Sequence, residues 1–175
     1  MAEAPTATTA QTNASRAVTT YDTMQRRFLL PDGTRLYSQT HPYSGGGNKY
    51  SYVWEFSRAL LGTLALSGVP SSLVGGASYA SAVQDRFTAL ERYWDASANP
   101  AAYDASVLSE GGGDKYHDDN AWVALAFIQR YRMGLTTSLP RAQQCSPTKP
   151  PAGTPERPVE QSPGARSVYE PVLLR

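Results

Sequence analysis

The sequence is poor in the features that mark several common protein classes. It has one cysteine, Cys145, in 175 residues, so an internal disulfide and a thiolate metal cluster within the chain are excluded. Sixteen basic residues balance fifteen acidic ones to give a net charge of +1, and neither sign forms a long block. No hydrophobic run reaches the length that spans a bilayer. We therefore expect neither a nucleic-acid nor a membrane partner.

The amino-terminal segment also lacks an export signal. Its sequence, MAEAPTATTAQTNASRA, has no apolar central run, so as written the chain is expected in the cytoplasm. Residues 1–12 are small and polar, which predicts a disordered leader. The chain as a whole is 41% hydrophobic, enough for the core of one domain, which we expect over residues 13–144.

Apolar residues recur at helical spacing in four segments of this domain, which predicts an all-α fold. Asn13 and Ser78 are the predicted N-caps of the first and third helices. The expected limits are Asn13 to Phe28 before the Pro31-Asp32-Gly33 turn, Tyr52 to Gly68, Ser78 through Trp94 towards Asn99-Pro100, and His117 to about Met133.

The character of the chain changes after Gln144. Residues 138–144 predict the first turns of a fifth helix, but residues 145–175 are rich in proline and aperiodic, which predicts a disordered tail. A helix that stops just after it starts is difficult to explain as a natural domain edge. We interpret the tail as the product of a truncation or a shifted reading frame.

The stretch GGGDKYHDDNAWVALAFIQRY places Asp118 and Asp119 at the start of the most apolar predicted helix. Eight consecutive apolar residues, 121–128, predict that protein surrounds this helix and leaves its polar start for chemistry. The simplest interpretation of the two acids is that they cap the free amides of the first turn. Three features favour more: the acids are adjacent, the glycines allow close approach of backbone or ligand, and Tyr116 and Trp122 can stack on a sugar.

Two carboxylates across a small gap are what glycosidic cleavage requires, one as a proton donor and one as a nucleophile or base. Adjacent side chains point about 100° apart around a helix, so both can face one cleft only if Asp118 lies before the helix. A cation site built from His117 and the acids is the alternative. His41 is the other histidine and has no ligand spacing to His117, so no metal site is expected.

Residues 116–122, YHDDNAW, followed by an apolar helix that ends in Tyr131, resemble the catalytic Asp-Asp motif of glycoside hydrolase family 76, the α-1,6-mannanases. The run Tyr52-Val53-Trp54-Glu55 and the turn at residues 31–33 are similar to the opening of those enzymes. The resemblance therefore covers about residues 15–144.

The resemblance implies a toroid of six helical hairpins and retaining hydrolysis of α-1,6-mannosidic bonds, with mannan or a mannose-containing oligosaccharide as partner. It implies Asp118 as the nucleophile and Asp119 as the general acid/base, with no metal or other cofactor. Trp54, Tyr116 and Trp122 are the expected sugar contacts.

A complete toroid of this kind is longer than the predicted domain. Twelve helices of ~12 residues with loops of ~5 need roughly 200 residues. The expected fold is therefore an incomplete toroid that exposes apolar faces on its second and fourth helices. Two other functions stay open: a non-catalytic remnant that at most binds saccharide or a partner chain, and a hydrolase that acts on another glycan.

Overall fold

The computed structural model describes residues 8–136, which contain four α-helices and one short antiparallel hairpin. The helices are α1 (Thr9–Phe28), α2 (Val53–Ser67), α3 (Ala80–Leu90) and α4 (His117–Arg132). The hairpin pairs β1 (Trp94–Asp95) with β2 (Ala102–Tyr103). Single turns of 3-10 helix lie at Ser71–Leu73, Glu91–Tyr93 and Leu108–Glu110. The predicted all-α class is confirmed for this part of the chain.

Helix α2 lies at the centre of the core. Its apolar stripe, with Phe56, Leu60 and Leu64, is fully buried, and α2 packs most extensively against α4 and α3. Those helices contribute Phe127 and Phe87, whose ring centroids lie 5.1 Å apart. Each such side chain contributes about 1.5–3 kcal/mol on burial. The sequence periodicity predicts the stripe of α2 correctly, and in α3 it correctly predicts the burial of Val83, Phe87 and Leu90.

Helix α1 begins earlier than the sequence analysis predicts. The Thr8 side chain accepts a hydrogen bond from the Gln11 amide at 3.2 Å, and the Thr8 amide donates to the Gln11 side chain at 2.7 Å. This capping box satisfies both ends of the first turn. The prediction of Asn13 as N-cap is therefore wrong, and so is the prediction of disorder for residues 8–12. Residues 1–7 lie outside the described part.

Helix α3 differs from its prediction at both ends. Its N-cap is Tyr79, which makes no side-chain capping bond, so the prediction of Ser78 as N-cap is wrong. The helix ends at Leu90, and Trp94 enters β1, where its ring packs at 4.9 Å against Tyr103. Helix α3 stops because the following turn buries Tyr93 completely, and the Tyr93 hydroxyl donates to the Ser51 carbonyl at 2.7 Å.

Helix α4 has the predicted limits, but the prediction that protein surrounds it is wrong for the described part of the chain. It buries one face, which includes Val123 and Phe127. On the other side Leu125, Ile128 and Tyr131 are 47%, 41% and 51% exposed. Residues 8–136 pack against one side of α4 alone, so eight consecutive apolar residues exceed what this core can cover.

Helix α2 is also incompletely covered. An apolar groove of about 670 Å³ runs between α1 and α2. The expectation that the second and fourth helices expose apolar surface therefore agrees with the structure. The predicted fifth helix at residues 138–144 and the tail at 145–175, with Cys145, lie outside the described residues.

Candidate active site

A cleft of about 520 Å³ opens where the first turns of α2 and α4 meet. It contains both acids of the predicted pair and two of the three predicted aromatic residues. Its lining consists of Tyr52, Trp54, Glu55, Ala105, Ser106, Gly113, Asp114, Tyr116, Asp118 and Asp119. The structure thus brings together segments that lie about fifty residues apart in the chain.

Two hydrogen-bonded junctions hold the helix starts in place. The Val53 amide at the start of α2 donates to the Ala105 carbonyl at 2.8 Å, which joins α2 to the connection that precedes α4. The Asn120 side-chain amide pairs with the Tyr103 backbone, accepting from its N–H and donating to its C=O, both at 2.9 Å. Because Asn120 follows Asp119 directly, these two hydrogen bonds fix the first turn of α4, with both acids, against β2.

The glycines before the acid pair allow the backbone conformation and close packing of the connection that precedes α4. Gly112 has a φ of +67°, and a Cβ placed there would meet Asp104 Oδ2 at 2.5 Å. Asp104 is buried and is paired with the Lys115 ammonium. The sequence analysis expected these glycines to allow close approach of backbone or ligand. At Gly112 the group that approaches the backbone is the Asp104 side chain.

Asp118 and Asp119 both line the cleft although both lie inside α4. The prediction that Asp118 must precede the helix is wrong. First-turn side chains lean towards the helix amino terminus, where no earlier turn separates them, so adjacent residues can border one wide opening. Their surroundings differ, because Asp118 is exposed to solvent whereas Asp119 is 6% exposed.

The electrostatics of the cleft separate the two acids further. Burial raises the pKa of the Asp119 carboxyl above its ordinary value, and the negative charges of Asp118 and Glu55 raise it more. Among residues 8–136 no group donates a hydrogen bond to Asp119 that would favour its anion. The pair therefore consists of one exposed side chain, Asp118, and one buried carboxyl, Asp119, whose proton is held more firmly than usual.

The structure does not assign the acids the capping role that is the simplest interpretation of the sequence. Tyr116 is the N-cap of α4, and it makes no side-chain capping bond. Asp118 and Asp119 lie in the first turn, where the helix dipole favours their anions without consuming either carboxylate as a cap. Both side chains are therefore available to a ligand.

Two aromatic residues stand at the rim of the cleft. Tyr116 is 51% exposed and Trp54 is 41% exposed. The Tyr116 hydroxyl donates to Asp114 Oδ2 at 3.2 Å, which limits the movement of its ring. Exposed rings on opposite helices beside acids are suited to stacking against the apolar faces of sugar rings.

Trp122, the third predicted aromatic contact, does not line the cleft. The Arg58 guanidinium lies 3.5 Å from the centroid of the Trp122 ring and 5.0 Å from that of Trp54. Trp122 lies one turn beyond the acids and packs against Arg58, so its role as a sugar contact stays a prediction that the lining of the cleft does not support.

The sequence analysis missed two acids of the cleft. Glu55 lies in the first turn of α2, and Asp114 lies on the connection that precedes α4. The segment that contains Glu55 was noted for its family resemblance, but nothing in the sequence shows that the starts of α2 and α4 meet. Position in the first turn of a second helix is the signal that could have found Glu55.

The two histidines lie apart from any cluster of metal ligands. The His41 Nε2 atom contacts Arg27 at 3.2 Å, and its ring packs against Phe28. His117 is exposed at the start of α4. Within residues 8–136 no group of three or more histidine, cysteine or acidic side chains is placed to hold a metal ion.

No model of a known protein family matches the chain, and no curated protein matches it. Across residues 8–136 no helix is both long enough and apolar enough to cross a membrane.

Proposed function

We propose that this chain is a glycoside hydrolase that cleaves α-1,6-mannosidic bonds with retention of configuration. One observation carries the proposal: Asp118 and Asp119 border the same open cleft, where Asp118 is exposed and Asp119 is buried with a raised pKa. Retaining glycosidases need one ionised carboxylate and one protonated carboxyl beside the scissile bond. The linkage and the sugar come from the resemblance of residues 116–122 to family 76.

In the proposed reaction, Asp119 donates its proton to the glycosidic oxygen as that bond breaks. The Asp118 carboxylate attacks the anomeric carbon and forms a glycosyl ester. Asp119, now ionised, removes a proton from water, and the water attacks the same carbon and releases Asp118. Two inversions give net retention, and each acid ends in its starting protonation state.

The cleft suits a chain of sugars better than a small, enclosed substrate. It is open, and the exposed rings of Trp54 and Tyr116 flank the acids. A mannan or a mannose-containing oligosaccharide is the partner that we propose. The fold that we propose is the first part of a six-hairpin toroid, with α1 to α4 as its opening helices.

An activity assay with α-1,6-mannan tests this function directly. We expect the purified chain to release reducing sugar, and the Asp118→Asn variant to release none. Proton NMR of the first product should show the anomer that retention requires. No release of sugar from a sample whose circular dichroism shows a folded helical protein would refute the proposal for this polypeptide. Release from another glycan alone would refute the linkage and keep the reaction type.

A second candidate function is supported by the exposed apolar surface of α4 and the groove between α1 and α2. In this alternative the chain is a non-catalytic remnant that binds saccharide, or a partner chain, without cleaving it. Isothermal titration with mannan oligosaccharides separates the two. Binding with no product after prolonged incubation would favour the remnant, and turnover would exclude it.

A further inference from the structure

The proposed reaction makes no use of the groove between α1 and α2. Its volume of about 670 Å³ lies in the range of small-molecule sites. Most of its lining is apolar and includes Ala17, Tyr21 and Met24 from α1 and Ala59, Ala65 and Leu66 from α2. An apolar surface of this kind beside a candidate active site is suited to an apolar part of the ligand.

The groove and the cleft are continuous at the start of α2. Trp54 and Glu55 line both of them. From Glu55 the groove follows α2 to Leu66, a distance of roughly 16 Å at the helical rise per residue. A ligand that has one end between the acids can therefore extend along α2 in the groove.

The cation on this path is Arg58, which lies about one turn beyond Glu55 and lines the groove. Its guanidinium lies 5.0 Å from the centroid of the Trp54 ring and 3.5 Å from that of Trp122. These ring contacts use no hydrogen-bond acceptor, and no carboxylate among residues 8–136 forms a salt bridge with Arg58. Arg58 therefore offers its N–H donors to an anionic group of a ligand.

Gly62 lies on α2 one turn beyond Arg58 and lines the apolar part of the groove. A Cβ placed there would meet no atom within 4 Å, so packing among the described residues does not require a glycine. Glycine inside a helix destabilises that helix relative to alanine. A glycine that costs stability and faces open space indicates that the space itself is used.

The charges along α2 determine where each part of a ligand is favoured. The lining of the cleft has four acidic side chains and no basic one, which suits sugar hydroxyls and disfavours a phosphate. Arg58 carries the opposite charge. Beyond Gly62 the lining of the groove has no charged side chain, so an alkyl chain gains most from lying there.

An anionic glycolipid carries the matching groups in the same order, namely sugar hydroxyls, a phosphate and an alkyl chain. We propose that the groove binds the alkyl chain of such a glycolipid, with the phosphate at Arg58 and the sugar in the cleft. The inference rests on the proposed function for the sugar that the cleft holds.

Isothermal titration of the full chain with a series of alkyl α-mannosyl phosphates tests the inference. The alkyl chain is varied from ethyl to decyl, and each ligand is kept below the concentration at which it forms micelles. We expect the dissociation constant to fall roughly tenfold for every two methylenes that enter the groove, because each buried methylene favours binding. A dissociation constant that does not depend on chain length would overturn the inference.

Two variants that fill the groove separate it from the cleft. Gly62→Phe places a ring in the open space and should abolish the dependence on chain length, whereas binding of methyl α-mannoside should not change. Ala65→Phe, also at an exposed position of α2, covers the case in which Gly62→Phe does not fold. The matched control is Gly46→Phe, which adds the same ring at an open position outside both cavities. Chain-length dependence that survives in both folded groove variants would overturn the inference.

The position of the phosphate is tested with decyl α-mannosyl phosphate and with decyl α-mannoside, which lacks the anion. Arg58→Gln should weaken binding of the phosphate ligand about tenfold and leave binding of the neutral ligand near the wild-type value. Equal effects of Arg58→Gln on both ligands would overturn the assignment of the phosphate to Arg58. Decyl phosphate that binds as tightly as decyl α-mannosyl phosphate would overturn the assignment of the sugar to the cleft.

Analytical ultracentrifugation identifies a competing occupant of the groove. A wild-type dimer that Gly62→Phe dissociates would show that a second copy of the chain fills the groove, which overturns the inference. Chain-length dependence without hydrolysis of α-1,6-mannan would refute the proposed function alone. Hydrolysis with a dissociation constant that is independent of chain length would refute the inference alone.

Discussion

The turn around Asp32 and the cleft around Asp119 are two acidic regions of one small molecule with opposite surroundings. Asp32 accepts hydrogen bonds from the Thr34 amide at 3.0 Å and the Tyr50 hydroxyl at 3.1 Å, and it pairs with the Lys49 ammonium at 2.9 Å. Burial alone would raise the pKa of Asp32, but these partners outweigh it and lower the pKa. Asp119 is buried but has no such partners among residues 8–136, and its pKa is raised.

The contrast shows which acid serves the fold and which is available for chemistry. The Tyr50 and Lys49 contacts join the turn after α1 to the far end of the connection, so the Asp32 charge stabilises the folded chain. The Asp119 charge is opposed by its surroundings, which is a cost that folds bear mainly at functional sites. Partners in the tertiary structure, rather than residue type, make the difference.

The largest expected effect is on catalysis. Asp118→Asn and Asp119→Asn should each lower kcat on α-1,6-mannan by about 10³-fold or more, because each removes a nucleophile or a proton donor. Asp32→Asn is the matched control, since it makes the same substitution at the fully partnered acid. The kcat of folded Asp32→Asn protein should stay near the wild-type value. Equal losses in all three variants would erase the distinction between the two regions.

An activated substrate sharpens the assignment within the pair. Aryl mannosides with a good leaving group need little proton donation, so Asp119→Asn should keep much of its first-step rate on them, whereas Asp118→Asn should not. Burst kinetics with such a substrate measure that step. The opposite pattern would exchange the two roles and leave the cleft as the active site.

A smaller effect is expected at the rim. Trp54→Ala should raise KM for mannan oligosaccharides about tenfold, because it removes an exposed ring that can stack on sugar. Trp122→Ala is the control, because Trp122 packs against Arg58 outside the cleft. Steady-state kinetics on both variants check this. A larger effect at Trp122 than at Trp54 would place the sugar beside Trp122 and Arg58, outside the cleft.

Asp32→Asn should lower the free energy of unfolding at pH 7 by about 1 kcal/mol, a value kept small because the turn is partly exposed. The folded pKa of Asp32 lies below its ordinary value of 3.8. Its contribution is therefore complete above that value and is lost as the pH falls through the folded pKa. Urea titrations should show the gap between wild type and variant closing in strong acid. A gap that persists there would exclude the charge as its cause.

The smallest expected effect is an increase in the free energy of unfolding, at Asp119. The folded pKa of Asp119 lies above 3.8, so its contribution is complete below that value and is lost as the pH rises through the raised pKa. Asp119→Asn should therefore be a few tenths of a kcal/mol more stable than wild type at pH 7 and equal to it in acid. Urea titrations at both pH values check this. A loss of stability at pH 7 would mean that Asp119 has a structural partner.

Much of the helical framework follows from local patterns. The stripe of α2 and the limits of α4 can be predicted because apolar spacing and a flanking glycine act within a few residues. The start of α1 and the end of α3 could not. The first depends on a reciprocal Thr8–Gln11 pair that competes with Asn13, and the second on the buried bond from Tyr93 to Ser51.

The candidate site divides in the same way. The pairing of two acids with Tyr116 is visible in seven consecutive residues. The sequence does not show that Glu55 lines the cleft or that Trp122 lies outside it, because both facts depend on how α2 lies against α4. A helical pattern identifies the face that is buried but not the neighbour that covers it.

The sequence by itself determined the four helices, their apolar stripes and the presence of two adjacent acids at a helix start, since these depend on spacing along one segment. Tertiary structure alone decided that Asp119 is buried while Asp118 is solvated, and that Glu55 faces the same cleft. The reason is that burial and charge act through space. The protonation of an acid is set by the groups packed around it, and chain order does not specify which groups those are.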